Sequence, residues 1–248
     1  IDYDELIIGL GCEDKYHNVP GAEEYTHSIQ TLSKARDTFH SISELPEGAK
    51  VGIVGAGLSG IELASELRES RSDLEIYLYD RGPRILRNFP EKLSKYVAKW
   101  VAKNNVTVVP NSNINKVEPG KIYNCDEPKD IDLVVWTAGI QPVEVVRNLP
   151  IDINSNGRVI VNQYHQVPTY RNVYVVGDCA DLQHAPSAQL AEVQGDQIAD
   201  VLKKQWLNEP LPDKMPELKV QGIVGSLGDK QGFAYIMDRT VTGRLASI

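Results

Sequence analysis

From residue 50 onward, short apolar runs alternate with longer stretches of helical character. Lys50–Val54 (KVGIV), Glu75–Tyr79 (EIYLY), Val106–Val109 and Leu133–Trp136 (LVVW) are runs of four or five residues dominated by Val, Ile, Leu and Tyr, the mark of buried strands. Leu58–Glu69 and Pro90–Lys103 lie between them and read as helices. Strands and helices alternating at these lengths predict an α/β fold with a parallel, doubly wound (Rossmann-like) sheet. Ile114–Val117 and Lys121–Tyr123, joined through Pro119-Gly120, add a predicted hairpin.

The flanks have a different rhythm. Glu5–Leu10 (ELIIGL) reads as a short buried strand ending at Gly11, and Ile29, Leu32, Ala35, Phe39 and Ile42 predict an amphipathic helix over Ser28–Ile42. Leu45-Pro46-Glu47-Gly48 reads as a linker. After Pro150, Arg158–Val161 and Val173–Val176 are strand candidates, and a helix runs from an N-cap at Ser187 to Leu207. Pro210, Pro212 and Pro216 then break the chain. The tail containing Gly222, Gly225, Gly228 and Gly232 reads as irregular β structure. Three regions are therefore expected: 1–46, 47–150 and 151–248.

Composition narrows the class. With 42% hydrophobic and 24% charged residues in 248 positions, the chain is globular, with enough length for one large domain or two ordinary ones. A net charge of −8 argues against a nucleic-acid surface, which needs clustered cations. No run approaches the roughly 18 apolar residues of a membrane span, and no signal peptide opens the chain. The first residue is Ile1, so an internal piece of a longer protein is expected. Cys12, Cys125 and Cys179 form no CxxC or CxxxxC pair, which predicts three reduced thiols of a cytosolic protein and neither a zinc site nor a redox disulfide. The five histidines show no i,i+4 pairing, so no metal is expected.

The chemistry gathers at Gly55-Ala56-Gly57-Leu58-Ser59-Gly60. This GxGxxG follows a predicted strand, opens a predicted helix, and precedes an acidic residue, Asp80, by twenty positions. Gly55 permits the tight turn, Gly57 the approach of a pyrophosphate, and Gly60 close helix–sheet packing. The helix N-terminus offers amides and a favourable dipole to phosphate. The ligand implied is NAD(H), because a carboxylate at Asp80 would accept ribose hydroxyls and repel a 2′-phosphate. Arg81 and Arg84 follow closely, as solvated arginines or as phosphate ligands. Glu62, in the first turns of the helix, either complements its dipole or faces the nicotinamide. Gly177-Asp178 ends another apolar strand, where Asp either caps a helix or binds a sugar hydroxyl. Gln189 and Gln194 either face solvent or hydrogen-bond a ring.

Four segments together, VGIVGAGLSGIELASEL, YLYDRGPRIL, VVWTAGI and NVYVVGDCADL, resemble the flavin-dependent pyridine-nucleotide oxidoreductases, and within them the type II NADH dehydrogenases. The resemblance implies an NAD-binding domain (47–150) inserted in an incomplete FAD-binding domain, with 1–46 its remnant and connecting helix, and 151–248 its C-terminal part. Gly9–Gly11 is similar to the segment leading from the FAD domain to the NAD domain. The resemblance puts Gly55, Gly57, Gly60 and Asp80 on NADH, with Ala138 and Gly139 lining that site. It makes Glu62 the carboxylate near the nicotinamide–flavin contact and Asp178 the ligand of the FAD ribityl chain. The segment from Ala188 and Gln189 would lie beside the isoalloxazine ring and a quinone. The implied enzyme passes hydride from NADH to FAD and electrons to a quinone, in the cytoplasm or peripherally on the inner face of the membrane; the oligomeric state stays open.

Three departures qualify that picture. The family's first FAD-binding βαβ unit is missing, so the piece alone is expected to hold FAD weakly or not at all. Val193 stands where the AQxAxQxG pattern has its second Gln. The chain stops at Arg244-Leu245-Ala246-Ser247-Ile248, where the family continues toward a membrane-anchoring region. The alternatives are an NAD(H)-sensing module without turnover and a soluble flavoprotein reductase with another acceptor. The absence of a CxxxxC pair argues against electrons leaving through a dithiol.

Overall fold

The structure, a computed structural model, describes residues 2–220 and 222–246. In chain order it begins with β1 (Leu6–Ile8), β2 (Cys12–Asp14), α1 (Ala22–Tyr25) and α2 (Leu32–Ser43). There follow β3 (Lys50–Val54), α3 (Leu58–Ser70), β4 (Glu75–Tyr79), α4 (Glu91–Lys103) and β5 (Val106–Val109). The hairpin β6 (Ile114–Glu118) and β7 (Lys121–Asn124) continues into β8 (Glu127–Asp130), and β9 (Leu133–Trp136) returns to the sheet. Next come β10 (Ile140–Pro142), α5 (Glu144–Arg147), β11 (Gln166–Val167), β12 (Tyr170–Val175) and α6 (Ala188–Trp206). The chain closes with β13 (Gly222–Ser226), β14 (Gly232–Ile236) and β15 (Arg239–Gly243).

Two compact units result. The first comprises Ile1–Glu13 and Ile140–Val220; the second comprises Asp14–Gly139 and Gln221–Ile248. The second unit is built on a four-stranded parallel sheet in the order β5-β4-β3-β9. Alternate residues serve its two faces, as the two-residue strand period requires. Val51, Ile53, Ile76, Leu78 and Val135 pack with Ile61 and Ala64 of α3 and Leu93 and Val97 of α4. Val54, Tyr79, Val134 and Trp136 pack with Ile114, Val117 and Ile122 of the hairpin. The expected α/β architecture on a parallel, Rossmann-like sheet is present, with α3 and α4 on one face and the hairpin on the other in place of further helices. The predicted elements from β3 to β9 lie within a residue or two of the bounds read from the pattern.

The division differs from the expected 46/47 and 150/151 boundaries, for identifiable reasons. Residues 14–46 pack with the parallel sheet. The His27 amide donates to Val134 O (2.8 Å), Trp136 N donates to His27 O (2.8 Å), and Ala22 is fully buried beside Trp136. The Pro46-Glu47-Gly48 stretch is therefore a turn within one unit. Residues 140–150 pack in the first unit, where Val146 is fully buried and Arg147 pairs with Glu13 at 2.6 Å. The glycine-rich tail also departs from expectation. It is a regular antiparallel meander, β13-β14-β15, whose Phe233, with neighbouring Leu227, enters the core of the second unit.

In the first unit, β1 pairs in parallel with β12, which pairs antiparallel with β11. The predicted strand at Arg158–Val161 is absent: Val159 makes only isolated bridges to Ile153 and Ala180. Helix α2 starts at Leu32, four residues later than predicted, because Thr31 accepts from Lys34 N and caps it. The polar strand β8, exposed throughout, left no apolar signal to predict it. Ser247 and Ile248, the last residues of the predicted stop, lie outside the described residues. Among those described, no helix is long and apolar enough to cross a membrane.

Candidate functional site

The three glycines of the loop after β3 answer to different constraints. Gly55 has φ +112°, and a Cβ there would lie 2.8 Å from Thr137 O. A Cβ on Gly60 would lie 1.9 Å from Gly55 O, so helix and turn could not close. Both glycines are demanded by the protein's own packing. Gly57 is not. Its φ of −76° suits any residue, and a Cβ there meets nothing within 4 Å. It is exposed, it is the N-cap of α3, and no side chain caps that helix end. Glycine suits an N-cap, and with no side chain at this position the α3 amides stay open to a closely approaching ligand.

The carboxylate of Asp80, at the end of β4, closes over this loop. Its Oδ2 accepts from Ala56 N at 2.9 Å and its Oδ1 from Gly82 N at 2.7 Å. Each oxygen keeps a lone pair, so the carboxylate can still accept a hydroxyl. A Cβ on Gly82 would lie 3.0 Å from Asp80 Oδ1 and 3.3 Å from Arg87 Cδ. Buried Ala56 also accepts from Leu86 N at 2.9 Å through its carbonyl, while Leu58 is half-buried and Ser59 exposed.

The arginines separate cleanly. Arg84 donates to the carbonyls of Leu86 (3.2 Å), Arg87 (2.7 Å) and Phe89 (3.1 Å), so it is engaged in shaping the loop. Arg81 and Arg87 are exposed and, with Asp80, line a cavity of about 150 Å³ that reaches Trp136 and Ala138. A neighbouring cavity of about 300 Å³ is lined by Gly55, Gly57, Asp80, Arg87, Ala138 and Gly139. Arg87 borders both. Sequence reasoning missed it because three arginines in RGPRILR look alike until the fold shows which one is tied to carbonyls.

Ala138 and Gly139 follow β9, and His17 Nε2 lies 3.0 Å from Ala138 O. Gly139 has φ +141° and accepts from Lys15 N at 2.9 Å. His17, considered in the sequence only as a metal ligand, thus borders the 150 Å³ cavity. Half-buried Glu62 accepts from Ser226 N at 3.0 Å, which ties α3 to β13.

The first unit carries the second candidate region. β12 ends in a tight turn, Gly177–Cys179, with Gly177 at φ +77°. Gly177 N donates to Gln194 Oε1 at 2.9 Å, and the half-buried Asp178 accepts at its carbonyl from Arg158 Nε (3.0 Å) and Cys12 Sγ (3.4 Å). Burial, then the neighbouring Asp178, pushes the Cys12 thiol up to about 11, and burial likewise raises Cys179. Both stay protonated at neutral pH, and a thiol without its thiolate is neither nucleophile nor electron relay. All three cysteines are free. Ser187 caps α6 through Leu190 N (3.3 Å), and Ala188 and Gln189 are exposed in the first turn of that helix. Gln194 is fully buried. Among the described residues, no cluster of three His, Cys, Asp or Glu could hold a metal.

A glycine loop at the end of a parallel strand, opening a helix beneath an anchored carboxylate, defines a dinucleotide-binding α/β protein. The sequence model of the pyridine nucleotide-disulphide oxidoreductases matches residues 1–195, and the chain belongs to that family. It is 56% identical over 245 residues to the NADH dehydrogenase-like protein YutJ of Bacillus subtilis, covering 99% of this chain and 69% of that protein. It is 24% identical to the type II NADH:quinone oxidoreductase of Staphylococcus saprophyticus, again over 99% of this chain and 69% of the relative. It spans 44% of the external alternative NADH-ubiquinone oxidoreductase of Yarrowia lipolytica, at 23% identity. The fold superimposes on NDH2 from Plasmodium falciparum in complex with NADH with a TM-score of 0.84 at 17% identity, covering 100% of this chain and 72% of that one.

Proposed function

We propose that the chain is the nucleotide-binding core and flavin side of an NADH dehydrogenase that takes hydride from NADH onto FAD and delivers the electrons to a quinone. The observation that carries the NADH part is Gly57, a glycine that the fold itself does not require, at an uncapped helix N-terminus. On this reading the second unit is the NAD(H) unit. The amides at the start of α3 take the pyrophosphate, Asp80 takes the adenosine ribose, and Arg81 and Arg87 add positive charge beside them. Ala138 and Gly139 form the opposite wall. Glu62 keeps the start of α3 in register with β13 and stands near the nicotinamide end.

The first unit fits the ribityl end of a flavin. A half-buried acidic residue, Asp178, stands where a parallel strand ends, its carbonyl held by Arg158 and Cys12 and the preceding Gly177 amide by Gln194. The flavin, when bound, supplies the two-electron chemistry. Protonated Cys12 and Cys179 take no part in electron transfer, so electrons leave without a dithiol. Relatives named as NADH:quinone and NADH-ubiquinone oxidoreductases support a quinone as acceptor. On this reading Ala188 and Gln189 lie on the acceptor side, and the protein sits peripherally on the inner face of the membrane. Half-buried Val193, in place of a Gln, favours the second reading, a non-quinone acceptor.

Calorimetry with NADH and NADPH tests the coenzyme reading. NADH should bind more tightly, and Asp80→Ser should narrow the gap by removing a negative charge that opposes a 2′-phosphate. Equal or tighter NADPH binding by the unaltered chain overturns the assignment. For the acceptor, NADH-dependent reduction of a water-soluble quinone by the holoprotein is expected. Reduction of ferricyanide without the quinone replaces the quinone by another acceptor.

A further inference from the structure

The first unit contains a buried polar path that ends beside Asp178. Gln194, His165 and Gln197 are 0%, 4% and 8% exposed. Buried polar groups are costly unless partnered, and these are partnered end to end. Gly177 N–H donates to Gln194 Oε1 at 2.9 Å. Gln194 Nε2 lies 3.4 Å from His165 Nδ1, and His165 Nε2 lies 2.7 Å from Gln197 Oε1. Gln197 Nε2 donates to Pro216 O at 2.9 Å. A backbone amide can only donate and a carbonyl can only accept, so the two ends dictate every link between them. Gln194 must present its amino group to Nδ1, and the imidazole must donate from Nε2. One form of the ring satisfies both: neutral, with its proton on Nε2.

We propose that His165 is a positioning residue for the Gly177–Asp178 turn, holding the Gln194 carboxamide in the one orientation that accepts the Gly177 amide. The ring is rooted firmly: His165 N donates to Asn162 O and His165 O accepts from Val175 N, both at 3.0 Å. A second proton, on Nδ1, would set a donor against the Gln194 amino group. Turning the carboxamide over relieves that clash but faces Gly177 N–H with another donor. The charge on the ring is thereby transmitted to the residue before Asp178.

The surroundings favour the neutral ring. Burial pushes the pKa of His165 down, opposed by the hydrogen bond to Gln197, and no ionised group contributes. With a pKa below the ordinary histidine value of about 6.5, the path is intact above that pH and is lost as pH falls through the depressed value. His165 and Gln197 line a cavity of about 520 Å³, which gives protons a route without unfolding. Its ionisable groups are Asp181 and His184 from the segment before α6, and Glu217 and Lys219 from the segment after it. Asp181 accepts from Asn154 at 2.7 Å. The charged residues of α6 near the path, Glu192 and Asp196, are exposed, and β12 contributes Tyr174, whose hydroxyl bonds Gln166 and Gln205. The functional consequence, an acid-weakened hold on flavin, rests on the reading of Asp178 as a ribityl ligand.

Amide hydrogen exchange of Gly177, corrected for the intrinsic pH dependence, tests the proposal, with Tyr174 and Val175 of β12 as internal controls. Protection of Gly177 should fall about tenfold between about pH 7.5 and about pH 5, the scale of one buried hydrogen bond, with the controls unchanged. His165→Ala should remove that protection at both pH values. His165→Gln, which keeps a donor and an acceptor without titrating, should restore part of it and make it independent of pH. Nitrogen-15 spectra should show the Nε2–H tautomer. Protection of Gly177 that ignores pH, or survives His165→Ala, overturns the proposal, as does an Nδ1–H tautomer. If Gly177 behaves as expected while flavin retention by the holoprotein is flat across the same range, the positioning role stands and the assignment of Asp178 to flavin falls.

Discussion

Two of the turns at the ends of parallel strands, those after β3 and β12, are built by opposite means. The loop after β3 works by leaving atoms out: Gly55 and Gly60 let backbone pack on backbone, and Gly57 leaves a bare approach to α3. The turn after β12 works by bringing side chains in. Gln194 holds the Gly177 amide, and Cys12 and Arg158 hold the Asp178 carbonyl. The first turn is a local device that fails by steric intrusion. The second is a long-range device that fails by loss of a partner, with Cys12 and Asp178 separated by 166 positions in sequence.

Variants that exploit this contrast should rank accordingly. Within the glycine loop, two valines should do different damage. Gly60→Val forces a side chain against Gly55 O and should cost about 3 kcal/mol of stability, roughly 6–12 °C in melting temperature, because packing there has no slack. Gly57→Val should leave the melting temperature nearly unchanged yet weaken NADH binding about a hundredfold, near 3 kcal/mol, by closing the approach. Calorimetry and a thermal melt on both variants read the two effects, and equal behaviour of the pair would erase the distinction between packing and access.

A smaller loss is expected at the other turn. Gln194→Leu keeps the volume but leaves Gly177 N–H without its acceptor, which should destabilise by about 1–3 kcal/mol in a denaturant titration while NADH binding is unaffected. Weakened NADH binding would show that the two turns do not act independently. The smallest effect belongs to Arg87→Ala. An exposed guanidinium beside phosphate contributes about 0.5–1 kcal/mol, so NADH affinity should drop only a few-fold, and the difference should shrink as salt rises. A salt-independent drop would mean that Arg87 acts through packing on Gly82.

The same contrast explains what is legible in the sequence. The strands at Lys50–Val54 and Leu133–Trp136, and the glycine loop between sheet and helix, are local: burial on both faces and backbone sterics write themselves into consecutive residues. Asp80 is found by spacing alone. What stays hidden depends on partners distant in sequence. Nothing near residue 165 announces that a histidine there faces Gln194 and Gln197, and nothing in RGPRILR separates Arg84, tied to three carbonyls, from Arg87, which lines a cavity. Val159 reads as a strand residue because it is apolar and β-branched, yet it is a buried bridge between loops. The glycines of the tail suggest irregularity, because glycine is a poor strand former. They are tolerated here because Gly232 faces backbone too closely for a Cβ and Gly225 lies under Leu58 and Phe233.

The interleaving of the two units in the chain has a consequence for biosynthesis. A ribosome releases the whole parallel sheet, β3 through β9, well before it releases Leu227 and Phe233, which complete that sheet's core. In the interval it makes Ile140–Val220, which belongs to the other unit together with the already finished Ile1–Glu13. The second unit must therefore wait, with the place of Leu227 and Phe233 in its apolar core unfilled, while a different unit assembles in the middle of its chain. Contacts closed over such separations are slow to form, and an exposed apolar surface during the delay invites association with other nascent chains. A chaperone binding that gap during synthesis would meet the chain at its most vulnerable stage.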